Sequence, residues 1–178
     1  MPGLEDEGFS KSVVYMCEHT ERGALGLVIN KPSDINLKKL FDKVELPLDR
    51  SDLSDALVFQ GGPVQTERGF VLHESMMPGL EAVYASTMSI PGGLEMTTSK
   101  DVLEALSSGN GPKKVFVSLG YSAWGEGQLE SEISDNSWLT VAADIAVIFD
   151  TPVEERYARA MGLLGLESWM LSPDAGHA

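Results

Sequence analysis

The sequence predicts an α/β fold in which helices cover a parallel or mixed β-sheet. Its 178 residues suit one hydrophobic core, because cores divide only in chains beyond about 250 residues. Apolar residues make up 43% of the chain and charged residues 22%, as in ordinary globular proteins. In the second half, short apolar runs alternate with amphipathic segments. Because parallel strands need long crossover connections, this alternation indicates a sheet with helices on its faces.

The chain begins with a predicted β-hairpin. Residues 12–18 and 24–30 are rich in β-branched side chains, and a short polar segment ending in Gly23 separates them. An amphipathic helix follows, with Ser33 or Asp34 as its expected N-cap. The apolar face of this helix has i, i+3, i+4, i+7 spacing and is formed by Leu37, Leu40, Phe41 and Val44.

Two further strands are predicted over 56–60 and 69–73, joined through the turn Gly61-Gly62-Pro63. A short run over 82–90 is expected to extend the same sheet. The elements predicted after it are a helix over 98–109, a strand over 115–119, a short helix around 129–133, a buried strand over 144–149 and a helix over 151–165. No linker divides the chain, so we expect one domain over 1–167 and a disordered tail over 168–178.

The charge balance bears on the class of partner. The chain has 27 acids and 13 bases, a formal net charge of -14. Between Lys114 and Arg156 there is no base, whereas eight acids occur. Direct nucleic-acid binding is disfavoured, because it depends on basic side chains that neutralise phosphates. No signal peptide or membrane-length apolar run is visible, so we expect a cytoplasmic protein without a membrane contact.

The lone cysteine, Cys17, is the first candidate for chemistry. It lies two residues from His19 on a predicted strand, so both side chains are expected on the same face. An imidazole beside a thiol could lower the thiol pKa and create a nucleophile. The alternative is a buried, inert cysteine, which is the commoner case.

Two glycine-containing loops are further candidate sites. Gly120-Tyr121-Ser122-Ala123-Trp124 follows a strand and precedes a helix, as a nucleophile elbow does, but it lacks the second glycine and a suitable later histidine. Neither this loop nor Gly61-Gly62-Pro63 has the spacing of a P-loop or a dinucleotide fingerprint. Loops at the carboxyl ends of strands nonetheless often hold ligands, so Tyr121 and Trp124 are candidate cleft residues.

The remaining charged residues support no cofactor or metal. His19 and His73 are the only internal histidines, and the acids near Glu130 have the pattern of a solvated helix face. Arg68 follows the Gly-Gly-Pro turn in a chain with few bases. Its guanidinium could clamp a carboxylate or phosphate, or form an ordinary salt bridge.

Five sequence blocks stand out in chain order: Phe9-x-Lys11-Ser-Val-Val-Tyr-x-Cys17-Glu18-His19, Gly23-Ala24-x-Gly26-Leu-Val-Ile-Asn30-Lys31-Pro32, Gly61-Gly62-Pro63-Val64 with Arg68-Gly69-Phe70-x-Leu72-His73, Thr97-Thr98-Ser99-Lys100-Asp101-Val102-Leu103, and Gly120-Tyr121-x-x-Trp124-x-x-Gly127-Gln128-Leu129-Glu130. Taken together, these blocks resemble the AlgH/YqgE family of bacterial proteins. The resemblance implies a mixed sheet sandwiched by helices, with a smaller α+β layer. Family members usually begin with a strand that ends in an Ala-Met-Pro-like sequence, so we expect that strand to be missing before Met1-Pro2.

The resemblance implies no established activity, although the family is named for a proposed regulator of alginate synthesis. We therefore expect a regulatory or small-ligand-binding module, acting on an unknown small ligand or protein partner. Its expected cleft is formed by Glu18, His19, Asn30, Lys31, Gly61, Gly62, Arg68, Tyr121, Trp124 and Gln128. The alternative is an enzyme that uses Cys17 or Glu130, with His19 or His73 as proton carrier. A third hypothesis is an acidic interaction protein that recruits a basic partner.

Overall fold

The computed structural model describes residues 11–75, 84–90, 93–109 and 111–164. Its strands are β1 (Val14–Thr20), β2 (Gly23–Val28), β3 (Pro32–Asn36), β4 (Leu57–Gln60), β5 (Val64–Glu74), β6 (Thr87–Ile90), β7 (Leu94–Thr97) and β8 (Val115–Trp124). Its α-helices are α1 (Leu37–Lys43), α2 (Lys100–Ser107), α3 (Gln128–Ser134), α4 (Ile145–Phe149) and α5 (Arg156–Leu163). Short 3₁₀ turns occupy Ser51–Leu53 and Val153–Glu155. The predicted tail over 168–178 and the start of the predicted strand over 82–90 lie outside the described residues.

The β-sheet is mixed, and β8 is its central strand. The strands follow the order β1-β2-β8-β5-β7-β6, with antiparallel neighbours throughout. β4 pairs in parallel with β8 and antiparallel with β3. Val117 of β8 is aligned with Val58 of β4 and with Val71 of β5, so these two strands lie on opposite edges of β8. The prediction of a mixed sheet is therefore confirmed.

The predicted turn at Gly61-Gly62-Pro63 does not join a hairpin but crosses β8. A Cβ on Gly62 would stand 2.2 Å from the carbonyl carbon of Tyr121, and one on Gly61 would stand 2.4 Å from the carbonyl oxygen of Gly120. Gly62 also has φ +155°, which L side chains rarely adopt. These glycines are explained by the close passage of two backbones.

The predicted strand over 144–149 is wrong, because this segment forms α4. Its side chains suit either structure, since a short apolar run does not distinguish a buried strand from a buried helix. Local polar groups decide for the helix: Asp144 Oδ1 accepts from the Ala146 amide at 3.0 Å, and Thr151 Oγ1 donates to the Ala146 carbonyl at 3.0 Å. The predicted N-cap of α1 is also wrong, since Asn36 Oδ1 accepts from the Lys39 amide at 2.9 Å.

Helices cover both faces of the sheet, which confirms the predicted sandwich. On one face, α4 packs against a cluster that includes Tyr15, Leu27, Phe70 and Phe116. On the opposite face, α1 and α2 pack against Val58, Val71 and Val117. A smaller cluster beneath α3 contains Ala24, Trp124, Leu129 and Trp138. Within the described residues, no helix combines the length and apolar character required to cross a bilayer.

Candidate functional site

Cys17 and His19 point to opposite faces of the sheet, so the prediction of a shared face is wrong. The register shifts between Met16, which is aligned with Gly26, and Glu18, which is aligned with Leu25. Cys17 is the extra residue of this β-bulge, and a bulge reverses the alternation of faces along a strand. Cys17 packs in the cluster beneath α4, whereas His19 is aligned with Ala24 on the face that α3 covers.

The Cys17 thiol is in the hydrophobic core. Its residue is 4% exposed, and its Sγ lies 3.6 Å from the carbonyl oxygen of Tyr15. Burial raises the pKa of Cys17 to about 12. The thiol is therefore protonated at neutral pH, which is unfavourable for a nucleophile.

His19 and Glu130 form a hydrogen-bonded pair that joins the β1/β2 turn to α3. His19 Nε2 contacts Glu130 Oε1, and about half of each side chain is exposed. The hydrogen bond from His19 is the main cause that lowers the pKa of Glu130. An imidazole and a carboxylate are side chains that can transfer protons, so the pair is a candidate for that role. It nonetheless lies on an exposed surface and lines none of the cavities described below.

His73 is fully buried on the face of the sheet opposite Cys17. Its Nδ1 lies 2.9 Å from the carbonyl oxygen of Glu74, and its Nε2 lies 2.8 Å from Thr97 Oγ1. Its ring meets Tyr84 edge to face in the cluster beneath α1 and α2. The structure therefore does not bring His73 to Cys17, and both ring nitrogens are already bonded.

Several predicted cleft residues bond to nearby backbone. Asn30 Oδ1 accepts from the Val13 amide and its Nδ2 donates to the Lys11 carbonyl, both at 2.9 Å. Gln128 Oε1 accepts from the Gly125 amide at 2.9 Å, and the Lys31 carbonyl accepts from the Gln60 amide at 2.8 Å. These contacts hold strands and turns in place.

Ser122 and Arg68 also have local partners. Ser122 is 1% exposed and donates to the Gly61 carbonyl at 3.1 Å, so it belongs to the strand crossing. Arg68 is exposed and donates to Gln65 Oε1 at 3.3 Å and to Thr98 Oγ1 at 3.2 Å. An ordinary salt bridge, one of the two roles left open for Arg68, does not form with any described residue.

An apolar cavity of about 160 Å³ lies between β1, α3, α5 and residues 138–141, and we call it the α3/α5 cavity. Trp124 is the one predicted cleft residue that lines it. Trp124 meets Trp138 edge to face at 5.7 Å between ring centroids. The other apolar lining residues are Val13, Val14, Met16, Leu129, Ile133, Leu139, Val141, Tyr157, Ala160, Met161 and Leu164.

The surface around the α3/α5 cavity is also apolar. Leu139 is 39% exposed and Val141 is 40% exposed, and both line the cavity. Leu163, which is 40% exposed, lines an adjoining cavity together with Val141. These are three of the four large apolar side chains that are exposed in the described part of the chain. Such clustering is typical of a surface that binds a ligand or a partner.

A second cavity, of about 290 Å³, contains Arg156, which was not among the predicted site residues, and we call it the Arg156 cavity. Arg156 is 8% exposed and lies 4.9 Å above the centroid of the Phe59 ring. One sequence signal could have found it. Arg156 follows Val153 by three residues and precedes Ala160 by four, which places it on the inner face of its helix.

Comparison with known proteins identifies the family. The AlgH-like family model, DUF179, matches residues 1–169. The chain belongs to the AlgH family. This AlgH family member is 86% identical to a UPF0301 protein of Polaromonas sp. (strain JS666 / ATCC BAA-500) over 178 residues, which cover 100% of this chain and 91% of the relative. It is 75% identical to a UPF0301 protein of Variovorax paradoxus (strain S110), with 100% and 92% covered.

Solved structures support the fold of this AlgH family member. The solution structure of the AlgH protein from Pseudomonas aeruginosa is similar, with a TM-score of 0.77, 48% identity, and coverage of 100% of this chain and 92% of that chain. A crystal structure of a Corynebacterium diphtheriae protein is similar in fold, with a TM-score of 0.69, 20% identity, and coverage of 90% and 81%. The names of these relatives specify no reaction and no ligand.

Proposed function

We propose that this AlgH family member is a small-ligand-binding regulatory protein, and that the α3/α5 cavity holds an uncharged, apolar ligand. The observation that carries the proposal is the lining of this cavity. None of the described lining residues is charged, and two tryptophans and aliphatic side chains form most of the walls. Apolar cavities of about 150 Å³ in other proteins bind benzene, so a cavity of about 160 Å³ can take a small aromatic or aliphatic group.

The polar groups of the cavity give the ligand an orientation. The described lining includes the hydroxyl-bearing residues Ser12, Thr140 and Tyr157. A ligand with one hydroxyl or carbonyl group can place it near these residues and its apolar part near Trp124 and Trp138. A few polar groups in an apolar pocket are the usual source of ligand specificity.

The regulatory part of the proposal rests on what the ligand contacts. Residues of β1, α3, α5 and the 138–141 segment all line the cavity. A ligand that binds one arrangement of these elements more tightly shifts the protein toward that arrangement. The exposed side chains Leu139 and Val141 would move with it and alter the surface that a protein partner meets.

The net charge of -14 favours control through a ligand or a protein partner over direct DNA binding. The proposal places the protein in the cytoplasm, in line with the sequence prediction. Within the enzyme alternative, Cys17 loses support because it is buried with a raised pKa, and His73 because it lies on the opposite face of the sheet. The pairing of Glu130 with His19 in that alternative does form, but it lines none of the three cavities.

The test is a titration with benzene followed by tryptophan fluorescence. A Trp169→Phe background leaves Trp124 and Trp138, both lining the cavity, as the only tryptophans. We expect a saturable change in emission. Ala160→Leu, which adds side-chain volume inside the cavity, should weaken benzene binding at least tenfold. Ala158→Leu is the matched control, because Ala158 is exposed on the same helix.

The proposal fails if emission does not saturate, or if Ala160→Leu and Ala158→Leu bind benzene equally. Circular dichroism of both variants is measured first, so that a loss of binding is compared only between folded proteins.

A further inference from the structure

Arg156 carries a buried positive charge that protein carbonyl groups hold. Its Nε donates to the Thr151 carbonyl at 3.0 Å, one Nη2 hydrogen donates to the Ile148 carbonyl at 2.7 Å, and Nη1 donates to the Ile29 carbonyl. Among the described residues, no carboxylate forms an ion pair with it. The charge of Glu154 raises the Arg156 pKa, but by less than burial lowers it.

This arrangement leaves both charge and donors for a ligand. A guanidinium has five N–H groups, and three of them are used here. A buried charge without a directly paired counter-charge is costly, and carbonyl oxygens bring partial charge only. An anion that reached the guanidinium would supply the missing charge and accept the remaining hydrogen bonds.

The lining of the Arg156 cavity suits an anionic group that is attached to an apolar part of the same ligand. Its lining includes Phe59, Phe116 and Phe149, and the rings of Phe59 and Phe116 are stacked at 4.6 Å. Leu57, the fourth large exposed apolar residue, also lines it at 42% exposure. The volume of about 290 Å³ is near the lower end of small-molecule sites.

The bases at this cavity stand out in an acidic chain. Lys113 and Lys114 line it together with Arg156, so three of the 13 bases of the protein converge on one cavity. Lys114 Nζ is paired with Asp150 Oδ1 at 2.7 Å. Lys113 is exposed, and its side chain adds positive potential at the entrance. Local positive potential on a negative protein draws small anions to that point.

We propose that the Arg156 cavity is a second binding site, specific for a small organic carboxylate with an aromatic or compact apolar body. The carboxylate pairs with the planar guanidinium, which matches two carboxylate oxygens in a fork geometry. The apolar body rests against the phenylalanine rings. This site is separate from the α3/α5 cavity and does not depend on the function proposed for that cavity, since the two share no lining residue.

The experiment is a calorimetric titration of the full chain with benzoate as the probe. We expect saturable binding of benzoate, and binding at least tenfold weaker for benzamide, which has the same shape without the charge. Acetate and inorganic phosphate are titrated in the same way as further probes, and both should bind at least tenfold more weakly than benzoate. Benzamide binding equal to benzoate, or no saturable benzoate binding, would overturn the inference. Phosphate binding tighter than benzoate would overturn the carboxylate assignment.

The site can be located with variants that leave Arg156 in place. Replacing Arg156 would also remove its three hydrogen bonds to backbone carbonyls, so a loss of binding could reflect a disturbed fold. Lys113→Glu reverses a charge at the entrance and should weaken benzoate binding at least threefold. Lys38→Glu makes the same change on the exposed face of α1 and should leave it unaltered. Equal affinities in the two variants would count against this location.

The Ala160→Leu variant separates this inference from the proposed function. It should retain benzoate binding at the level of the unaltered protein while it loses benzene binding. Loss of benzoate binding in Ala160→Leu, with full binding in Lys113→Glu, would place benzoate in the α3/α5 cavity and overturn the second site.

Discussion

Gly62 passes directly over Tyr121, so closely that a Cβ on Gly62 would stand 2.2 Å from the Tyr121 carbonyl carbon. The contact is between two backbones, and neither can retreat as a flexible side chain could. The two residues belong to sequence blocks that carry the resemblance noted in the sequence, and here their role is structural. The crossing connects β4 and β5, which lie on opposite edges of β8.

Gly62→Ala should destabilise the protein by about 3 kcal/mol or more, because it adds a backbone clash to an unfavourable φ. Urea unfolding followed by circular dichroism measures the change. Gly69→Ala is the matched control, since nothing lies within 4 Å of its added Cβ, and it should change stability by less than about 1 kcal/mol. Similar losses of stability in both variants would show that the two backbones at the crossing are farther apart than described here.

Cys17 should resist alkylation in the folded protein. A shift of its pKa from 9.0 to about 12 lowers the thiolate fraction at pH 8 by a factor on the order of 1,000 relative to the unfolded chain. The rate with iodoacetamide, measured with and without urea, checks this expectation. A folded-state rate close to the rate in urea would mean that the thiol is accessible and would restore Cys17 as a candidate nucleophile.

Arg156→Met should lower the free energy of unfolding by about 3 kcal/mol or more, because three carbonyl groups lose their donor at once. Arg159→Met is the matched control on the exposed side of α5 and should stay within about 0.5 kcal/mol. Urea unfolding of both variants decides the point. Equal stability of the two variants would indicate that the hydrogen bonds of Arg156 to the three carbonyl groups do not stabilise the fold.

The hydrogen bond between His19 and Glu130 should appear in an NMR titration of the Glu130 carboxyl carbon. His19 lowers the Glu130 pKa below its ordinary 4.5, so the pair stabilises the fold above that pH and its contribution is lost as the pH falls through the lowered pKa. His19→Ala should move the Glu130 pKa back toward 4.5. His19→Gln, which retains a donor, should move it less, and no change in either variant would show that the pair does not form in solution.

Helices and strands that follow from side-chain periodicity could be predicted from the sequence. The amphipathic spacing of Leu37 and Phe41 predicted α1, and the apolar run at Val115 predicted the start of β8, because both follow from side-chain periodicity. The bulge at Cys17 was not predictable in this way, since an inserted residue depends on pairing with a partner strand.

Local capping bonds and tertiary contacts account for the other differences. The 144–149 run became a helix because polar groups of Asp144 and Thr151 satisfy its backbone. In the predicted cleft, Asn30 and Gln128 hold backbone groups, and only Trp124 lines one of the described cavities. Cavities form between elements distant in sequence, so residue types alone gave little information about them.

The position of β8 has a consequence for how the chain folds. Its partners β2, β4 and β5 are all complete by Glu74, whereas β8 begins at Val115. During synthesis, β2, β4 and β5 are therefore complete before the ribosome has made β8, the strand with which all three pair. The 61–63 link and β8 must then find each other across more than fifty residues, and such nonlocal closure is slow. Nascent chains shorter than about 124 residues should expose unpaired strand edges, which makes them natural clients for chaperones.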